Sequence, residues 1–328
     1  MAKTTRDWER RLGHQVKLRD LHVLTTVVRW KGMAKAAPHL AMSQAAVSES
    51  IGNLERALGV RLLDRSPQGV EPTVYADALL KRGHVVFDEL RQGIRDIEFL
   101  SDPTAGEVRI ACAEMPAAGL LPATIDRISR QYPRIVVRVT QSTAFANASG
   151  VEFHELRNRN VDLVLTAIYG KPAEHDLEIE IECLLDEPNY VVAGLSSPWA
   201  GRRKIDLGDL VDESWIFPSN PVIVKMITEA FEARGLEPPA ERVSAASISL
   251  RNYLLATGRF LTVLPNSVLH YNAKRWSLKA LPIDLRIKPP SIAILTLKHR
   301  TPNPVVQLFI EHLRESAKPM KILSRSRP

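Results

Sequence analysis

The sequence predicts an all-α winged helix-turn-helix domain with a long helix, followed by a two-lobed α/β domain. Three observations predict this: three short helices near the N-terminus separated by brief turns, one long uninterrupted helical segment, and a later alternation of strands and helices. The length of 328 residues fits two or three domains, and 45% hydrophobic residues suffice to fill their cores.

The three short helices are expected within residues 18–58. Apolar residues recur at helical spacing over residues 18–29, Gly32 interrupts the pattern, and a second short helix covers residues 33–40. Ser43 is placed to cap a third helix that runs to about Leu58, and Gly59 supplies its C-cap. Helices joined by such brief turns are typical of the core of a helix-turn-helix domain.

A small β-wing and a long helix follow. Two extended stretches flank residues 66–69 (Ser-Pro-Gln-Gly) and predict a wing with Arg65 at its tip. The long helix runs from about Thr73 to Leu100. Its apolar stripe, which also contains two glycines, consists of Leu79, Gly83, Val86, Leu90, Gly93 and Ile97. We interpret it as a dimerisation helix with close backbone approach at the glycines; the alternative is a helix packed on its own domain.

A linker at residues 102–106 precedes the α/β region. Strands are expected at 108–112, 135–139 and 161–167, with helices at 116–132 and 151–159, which is the βαβαβ pattern of a parallel sheet covered on both faces. A second set comprises a strand at 190–193, helices at 222–234 and 248–257, and a strand at 260–264. A strand at 292–297 and a helix at 304–316 close the chain, so two subdomains should face each other across a cleft.

Charge and composition narrow the class of protein. The net charge is +7, and through Val70 twelve Lys and Arg residues oppose six acidic ones, which suits contact with phosphate. The two cysteines, Cys112 and Cys183, are predicted to be small buried core residues. The chain has no apolar run long enough to span a membrane and no secretory signal at its N-terminus, so we expect a cytoplasmic protein without a membrane partner.

Four consecutive motifs carry a family resemblance. They are AAPHL at residues 36–40, SQAAVS at 43–48, IGNLE at 51–55 and LGVRLLDR at 58–65. At this spacing they resemble the LysR-type transcriptional regulators. The resemblance implies a sequence-specific regulator whose partners are a double-stranded DNA operator, a small-molecule effector and further copies of itself, commonly as a tetramer. This chain departs from the usual pattern at Ala45, Glu49 and Ala76, and it has an N-terminal extension.

The remainder of the chain resembles the effector-binding domain of that family more loosely. The matching stretches are residues 107–110, 120–122, 132–133 and 162–165 (Asp-Leu-Val-Leu). Such domains are similar to periplasmic solute-binding proteins, which implies two lobes joined by crossovers, placed here near residues 180–184 and 290–292. The expected divisions are an extension at 1–17, a DNA-binding domain at 18–72, a dimerisation helix at 73–101, a hinge at 102–106, lobe I at 107–182 and 291–328, and lobe II at 183–290.

The third helix is the candidate DNA reader, because residues near the N-terminus of a helix in the major groove reach base edges. The outward residues are Ser43, Gln44, Ala45, Ser48, Glu49 and Gly52. Ser43 is expected to cap the helix as well, and Glu49 either accepts from cytosine or repels phosphate. Three basic residues are assigned to phosphate or the minor groove: Lys35, Arg61 and Arg65. For Arg65 a structural pairing with Asp64 or Glu55 is the alternative.

Effector contacts are expected where strands end and helices begin. The candidates are Glu114, Met115, Pro116, Ser142, Thr143, Thr166, Ile168, Pro218, Ser219 and Asn220. Plain helix capping is the alternative for the last three. Glu114 would disfavour a carboxylate ligand unless a cation balances it.

No motif of an enzyme is present in the sequence. GxSxG, HExxH, a Walker-type GK[ST] and a GxGxxG after a strand are all missing, and the nine histidines lack metal-ligand spacing. We therefore expect no catalysis, no metal and no cofactor. The competing hypothesis is a ligand-independent architectural DNA-binding protein, which would protect DNA diffusely and with an affinity set by salt.

Overall fold

The computed structural model describes residues 15–66, 69–142, 153–170 and 178–325. It divides into two compact units, one ending at Gly93 and one beginning at Ile94. This division falls inside the long helix, whereas the sequence placed the hinge at residues 102–106. Most of the predicted N-terminal extension and the residues at the tip of the wing, Pro67 and Gln68, lie outside the described part of the chain.

Unit 1 is the predicted helix-turn-helix domain with its wing. Its elements are α1 (Leu18–Arg29), α2 (Met33–Ala36), a 3-10 turn (Pro38–Leu40), α3 (Gln44–Leu58), β1 (Leu63–Ser66), β2 (Gly69–Pro72) and the first part of α4 (Val74–Ser101). The expected second helix stops at Ala36 because Pro38 cannot donate the next helical hydrogen bond. The two-stranded wing also makes "all-α" too narrow a description of this domain.

The wing is attached to the helices by backbone hydrogen bonds. The Glu55 carboxylate on α3 accepts from the backbone N–H of Leu62 (2.8 Å) and Leu63 (3.3 Å), where the chain enters β1. The N–H of Val70 on β2 donates to the carbonyl of Lys31 (3.3 Å). A side chain at Gly69 would meet that carbonyl at 2.8 Å, and its φ of 136° also favours glycine. The wing therefore has a fixed orientation relative to α3.

The two glycines of α4 have different surroundings. A Cβ on Gly83 would lie 3.0 Å from a methyl group of Leu21 on α1, so the close approach there is to the chain's own domain. A Cβ on Gly93 would meet nothing within 4 Å. Apolar side chains along α4 remain exposed, namely Val86, Leu90, Ile94, Ile97 and Leu100. The alternative of packing on the helix's own domain thus holds at Gly83, and dimerisation remains a prediction for the exposed stripe.

Unit 2 contains two five-stranded sheets. The first lobe comprises β3 (Ala105–Cys112), α5 (Glu114–Ala118), α6 (Leu120–Gln131), β4 (Arg134–Gln141), α7 (His154–Arg157), β5 (Leu163–Ile168), β6 (Ile179–Asp186), β12 (Ser291–Leu297) and α11 (Pro304–Arg325). The second comprises β7 (Asn189–Gly194), a 3-10 turn (Leu207–Leu210), β8 (Trp215–Phe217), α8 (Pro221–Glu232), β9 (Glu241–Ser244), α9 (Ile248–Ala256), β10 (Leu261–Pro265), α10 (Asn266–Asn272) and β11 (Leu278–Ala280).

The first sheet has the order β4-β3-β5-β12-β6. As predicted, β3 pairs in parallel with both β4 and β5, but β12 runs antiparallel to β5 and β6. The second sheet has the order β11-β7-β10-β8-β9 and is also mixed. The predicted parallel arrangement is therefore confirmed for β3, β4 and β5, whereas the complete sheet is mixed because β12 joins it. The returning strand after the second lobe enters the first sheet from the opposite direction, and no local pattern in the sequence reports that.

The crossovers lie side by side. β6 continues in the first sheet to Asp186, so the crossover expected at residues 180–184 is in fact strand, and the chain passes to the second lobe at Glu187 and Pro188. The return crossing ends at Pro290, whose carbonyl accepts from the N–H of Glu187 (2.7 Å). Two further expectations are corrected. Ala105 and Gly106 pair with β4 and do not belong to a hinge, and Cys183 is exposed on β6, whereas Cys112 is buried.

Candidate DNA-binding surface and ligand cavity

Helix α3 begins where the sequence predicted. The Ser43 hydroxyl accepts from the N–H of Ala46 (3.2 Å), and Gly59 ends the helix in the left-handed conformation with a φ of 72°. Ser43 therefore has the capping role expected for it. Val47, Ile51 and Leu54 point into the core of unit 1, which leaves the opposite face of α3 to the solvent.

The predicted base-reading residues lie on that outer face. Ser43, Gln44, Ala45 and Glu49 are exposed, and Ser48 is half-buried. A buried hydrogen bond that the sequence did not reveal holds α3 on α1, because the Ser50 hydroxyl donates to the Asp20 carboxylate (2.5 Å). The first turn of α3 is thus a rigid, accessible edge of unit 1.

The three basic residues predicted to contact phosphate or the minor groove lie in different parts of unit 1. Lys35 on α2 and Arg61 before β1 are both exposed. Arg65 lies within β1 opposite Val70, next to the last pair of the wing and not at its tip; its side chain is outside the described part of the structure. Glu55, one of the two acids considered as a partner of Arg65, accepts backbone N–H groups of the wing.

A cavity of about 190 Å³ lies between the two lobes of unit 2. It is built where β3, β4 and β5 end and where α5, α8 and α9 begin. Lobe I contributes Ala113, Glu114, Met115, Gln141, Ser142, Ala167 and Tyr169. Lobe II contributes Asn189, Pro218, Ser219, Asn220, Ile223, Ala246, Ile248, Arg251, Val263 and Pro265. This is the place that the strand-end rule indicated.

The structure brings together six of the ten residues proposed for effector contact: Glu114, Met115, Ser142, Pro218, Ser219 and Asn220. Pro116 is buried but does not line the cavity, and Thr143 lies outside the described residues. The prediction that Thr166 and Ile168 face the cavity is wrong by one position along the chain. Successive side chains of a strand point to opposite faces, so Ala167 and Tyr169 face the cavity while Ile168 packs in the core on the other face of the sheet.

Glu114 connects the two lobes across the cavity. One oxygen of its carboxylate accepts from the backbone N–H of Ile248 (2.8 Å), the first residue of α9, and the other accepts from the side-chain amide of Gln141 (3.2 Å). The Ser247 hydroxyl accepts from Leu250 N–H (3.3 Å) at the same helix terminus. Because a helix N-terminus attracts negative charge, Glu114 occupies the position that an anion would favour.

Arg251 is the buried cation of this cavity and was not among the predicted effector contacts. Its guanidinium donates through Nη1 to the carbonyl of Val263 (3.2 Å), and its Nε has no partner among the residues that the structure describes. Burial lowers the pKa of Arg251 to about 10, against the opposing charge effects of Glu114 and Tyr169, so it carries its charge at neutral pH. Burial also raises the pKa of the Tyr169 hydroxyl, which therefore stays protonated. Only the fold could reveal Arg251, since it lies within an ordinary helical stretch.

Asn220 both caps α8 and lines the cavity. Its side-chain oxygen accepts from the N–H of Val222 (2.9 Å), so the capping alternative holds for this residue. Its side-chain nitrogen is buried and has no partner in the described part of the chain, and the residue also lines the cavity. Helix capping and contact with a ligand are therefore compatible here.

Further contacts hold the lobes together beside the cavity. The Asn272 amide donates to the carbonyl of Ala118 (2.8 Å). Gly119 packs so closely on α10 that a Cβ there would lie 2.2 Å from the hydroxyl oxygen of Ser267. At the crossover, the buried Glu187 carboxylate accepts from the N–H of Ser267 (2.7 Å). Burial raises the pKa of Glu187 to about 7 despite its hydrogen bonds to Ser267 and Asn266.

A buried carboxylate, that of Asp162, organises lobe I just before β5. Asp162 accepts from Arg109 (2.7 Å) and Arg300 (3.0 Å), and Arg95 on α4 lies 3.7 Å away. Burial by itself would raise the pKa of Asp162, but the hydrogen bonds and charge of Arg109, together with Arg300, lower it below its usual value. Asp162 is the first residue of the Asp-Leu-Val-Leu stretch, and its pairing with the two arginines explains why an acid at this position stabilises lobe I.

Neither a metal site nor a membrane-spanning helix is found in the described part of the chain. Those residues include no group of three or more His, Cys, Asp or Glu side chains arranged to hold a metal ion. None of the described helices combines the length and the hydrophobicity that crossing a membrane requires.

Comparison with known proteins covers nearly the whole chain. Residues 18–77 match the bacterial regulatory helix-turn-helix protein of the lysR family, and residues 101–318 match the LysR substrate binding domain. The HTH-type transcriptional regulator GbpR of Azospirillum brasilense is 24% identical over 93% of this chain and 88% of its own length. The transcriptional dual regulator GltC of Bacillus subtilis is 25% identical over 90% of this chain and 96% of its own.

Among solved structures, full-length OxyR from Pseudomonas aeruginosa is similar in fold. Its TM-score is 0.58 at 20% identity, with 93% of this chain and 95% of that chain covered. Three observations indicate the same family: the winged helix-turn-helix of unit 1, the two lobes of unit 2 and the matches to both family domains. The chain belongs to the LysR family and is a LysR-type DNA-binding transcriptional regulator with an effector-binding domain.

Proposed function

We propose that this regulator reads its operator through the first turn of α3 and responds to a small molecule held in the cavity between the lobes. Gln44 and Ser48 are assigned to base edges, with Ala45 available to a thymine methyl group and Glu49 to a cytosine amine. Lys35, Arg61 and Arg65 are assigned to the phosphate backbone or the minor groove.

The exposed first turn of α3 is the observation that carries the DNA assignment. The core takes up Val47, Ile51 and Leu54, so only the opposite face is available to a groove. Because the cap at Ser43 and the Ser50–Asp20 bond fix the helix, its outer side chains are presented without a large ordering cost.

The proposed assembly is dimer-based, with the exposed apolar stripe of α4 as the contact and a dimer of dimers as the final state. Two copies of α3 would then meet half-sites about 34 Å apart on a partly palindromic operator. The mass of the full-length protein in solution, measured by light scattering, tests the assembly. A monomer at micromolar concentration would refute it.

Footprinting of the full-length protein on the DNA upstream of its own gene, repeated over a salt titration, tests the function. A sequence-specific regulator gives a discrete paired footprint that persists at salt concentrations where non-specific binding is lost. Diffuse protection with an affinity that depends only on salt would instead favour the architectural DNA-binding protein.

A further inference from the structure

Among the described residues, the polar groups that line the cavity without a partner are hydrogen-bond donors. Arg251 is only 5% exposed, and its Nε is buried without an acceptor. Asn220 is likewise 5% exposed, and its Nδ2 is buried without an acceptor. Both residues line the cavity from lobe II. A ligand that satisfies them must therefore bring acceptors.

The charge of Arg251 also lacks an ion-pair partner among the described residues. Within the part of the chain that the structure describes, its guanidinium bonds to the Val263 carbonyl and has no carboxylate within ion-pair distance. Glu114, the acid whose charge it feels, is already bonded to Ile248 N–H and to Gln141. A buried cation without a counter-ion is costly, and a bound anion offsets that cost.

Most of the remaining wall is apolar. The side chains that provide it are Met115, Ala167, Pro218, Ile223, Val263 and Pro265. A cavity of about 190 Å³ has room for about six water molecules at their liquid volume. The occupant is therefore small, with one polar end and an apolar remainder.

We propose that the ligand of this cavity is a small organic acid with a single negative charge. Its acidic head accepts hydrogen bonds from Arg251 and Asn220, and its body packs on the apolar wall. The fixed carboxylate of Glu114 repels a second negative charge and so selects against dicarboxylates. This inference rests on the effector role proposed for the cavity and adds the chemical class of the effector.

Matched pairs of acids and primary amides test the class of ligand, because each pair shares its shape and differs in charge. The probes are butanoate, hexanoate, cyclohexanecarboxylate and phenylacetate, each with its amide, and succinate as a dicarboxylate. Binding to the full-length protein is followed by thermal shift and calorimetry. We expect at least one acid to bind at least about tenfold more tightly than its amide and than succinate.

Three variants locate the acidic head. Arg251→Met should reduce the affinity for the acid at least about tenfold. Arg242→Met, which removes an exposed charge of lobe II outside the cavity, should leave it unchanged. Glu114→Gln keeps an acceptor for Ile248 N–H and removes the repulsion of a negative charge. The affinity for the acid should therefore rise, succinate should bind, and the affinity for the amide should not change.

Four results would overturn the proposal: amides that bind as tightly as their acids, an Arg251→Met protein that binds acids like the native chain, a Glu114→Gln protein with unchanged preferences, or no acid bound at about 10 mM. If Arg251→Met fails to fold, Glu114→Gln decides. Footprinting with and without the acid distinguishes a failure of the proposed ligand class from a failure of the proposed effector role. An acid that binds at Arg251 and leaves the footprint unchanged refutes the effector role alone.

Discussion

The hydroxyl of Ser50 on α3 donates a 2.5 Å hydrogen bond to the carboxylate of Asp20 on α1, and both side chains are buried. The two residues are thirty positions apart, and the bond fixes α3, the helix proposed to read DNA, on the first helix of the domain. A carboxylate in a core needs such a donor, because an unsatisfied buried acceptor pays its full desolvation penalty. The position of the exposed first turn of α3 therefore depends on this contact.

Ser50→Ala should destabilise unit 1 by about 1–3 kcal/mol, because Asp20 loses its buried donor. Hydrogen–deuterium exchange of residues 44–58 should become faster, and operator affinity should fall with it. Ser48→Ala on the exposed side of the same helix is the control, and it should weaken DNA binding without faster exchange. Equal exchange rates in the two variants would show that the Ser50–Asp20 bond does not stabilise α3.

Gln44→Ala should cost about 1–3 kcal/mol of operator affinity and relax the preference at one base pair. Lys35→Ala should instead weaken binding to all sequences alike and reduce the salt dependence by about one released ion. Competition binding with operators changed one base pair at a time distinguishes the two patterns. A uniform loss for Gln44→Ala would contradict its assignment to a base.

Gly119→Ala should destabilise unit 2 by about 1–3 kcal/mol, since the new methyl group overlaps Ser267 at the contact between the lobes. Gly201→Ala, where the structure leaves open space, is the control and should have little effect. Combining Gly119→Ala with Ser267→Gly removes the overlapping atoms, so part of the loss should be recovered. Thermal unfolding of the four proteins measures this. No recovery would locate the strain elsewhere.

Glu187 should make the stability of unit 2 depend on pH. Its pKa is about 7 in the folded protein and about 4.5 in the unfolded chain, so its contribution is fully present below pH 4.5 and is lost as the pH rises to about 7. The loss is on the order of 3 kcal/mol at most. Glu187→Gln should flatten urea-unfolding midpoints across this window, whereas Glu232→Gln at an exposed position should not. Parallel profiles for Glu187→Gln and the native chain would disprove this.

Features that depend on neighbouring residues were predictable from the sequence. Ser43 as a cap, Gly59 as the end of α3 and the two strands of the wing all follow from local backbone preferences, and the structure confirms them. The strand-end rule likewise located the cavity, because the carboxyl ends of parallel strands meet at one edge of a sheet.

Features that depend on distant pairing were not predictable. Glu114 and Ile248 are 134 positions apart, and Arg251 becomes a cavity residue only because α9 faces lobe I. The sequence predicts Thr166 and Ile168 as contacts, whereas Ala167 and Tyr169 line the cavity, because it does not say which face of a fully buried strand points to the cleft. The antiparallel β12 was missed for a similar reason, since its direction depends on where the chain returns.

Asp162 has a practical consequence for dissecting the protein. Its cluster of arginines reaches back to Arg95, and that residue belongs to unit 2 although it precedes the last turns of α4. A ligand-binding fragment cut at the apparent end of the helix, at residue 102, would lose one of the cations that neutralise a buried carboxylate. A fragment that starts at Ile94 keeps the cluster whole, so crystallisation or calorimetry of the ligand-binding half should begin there.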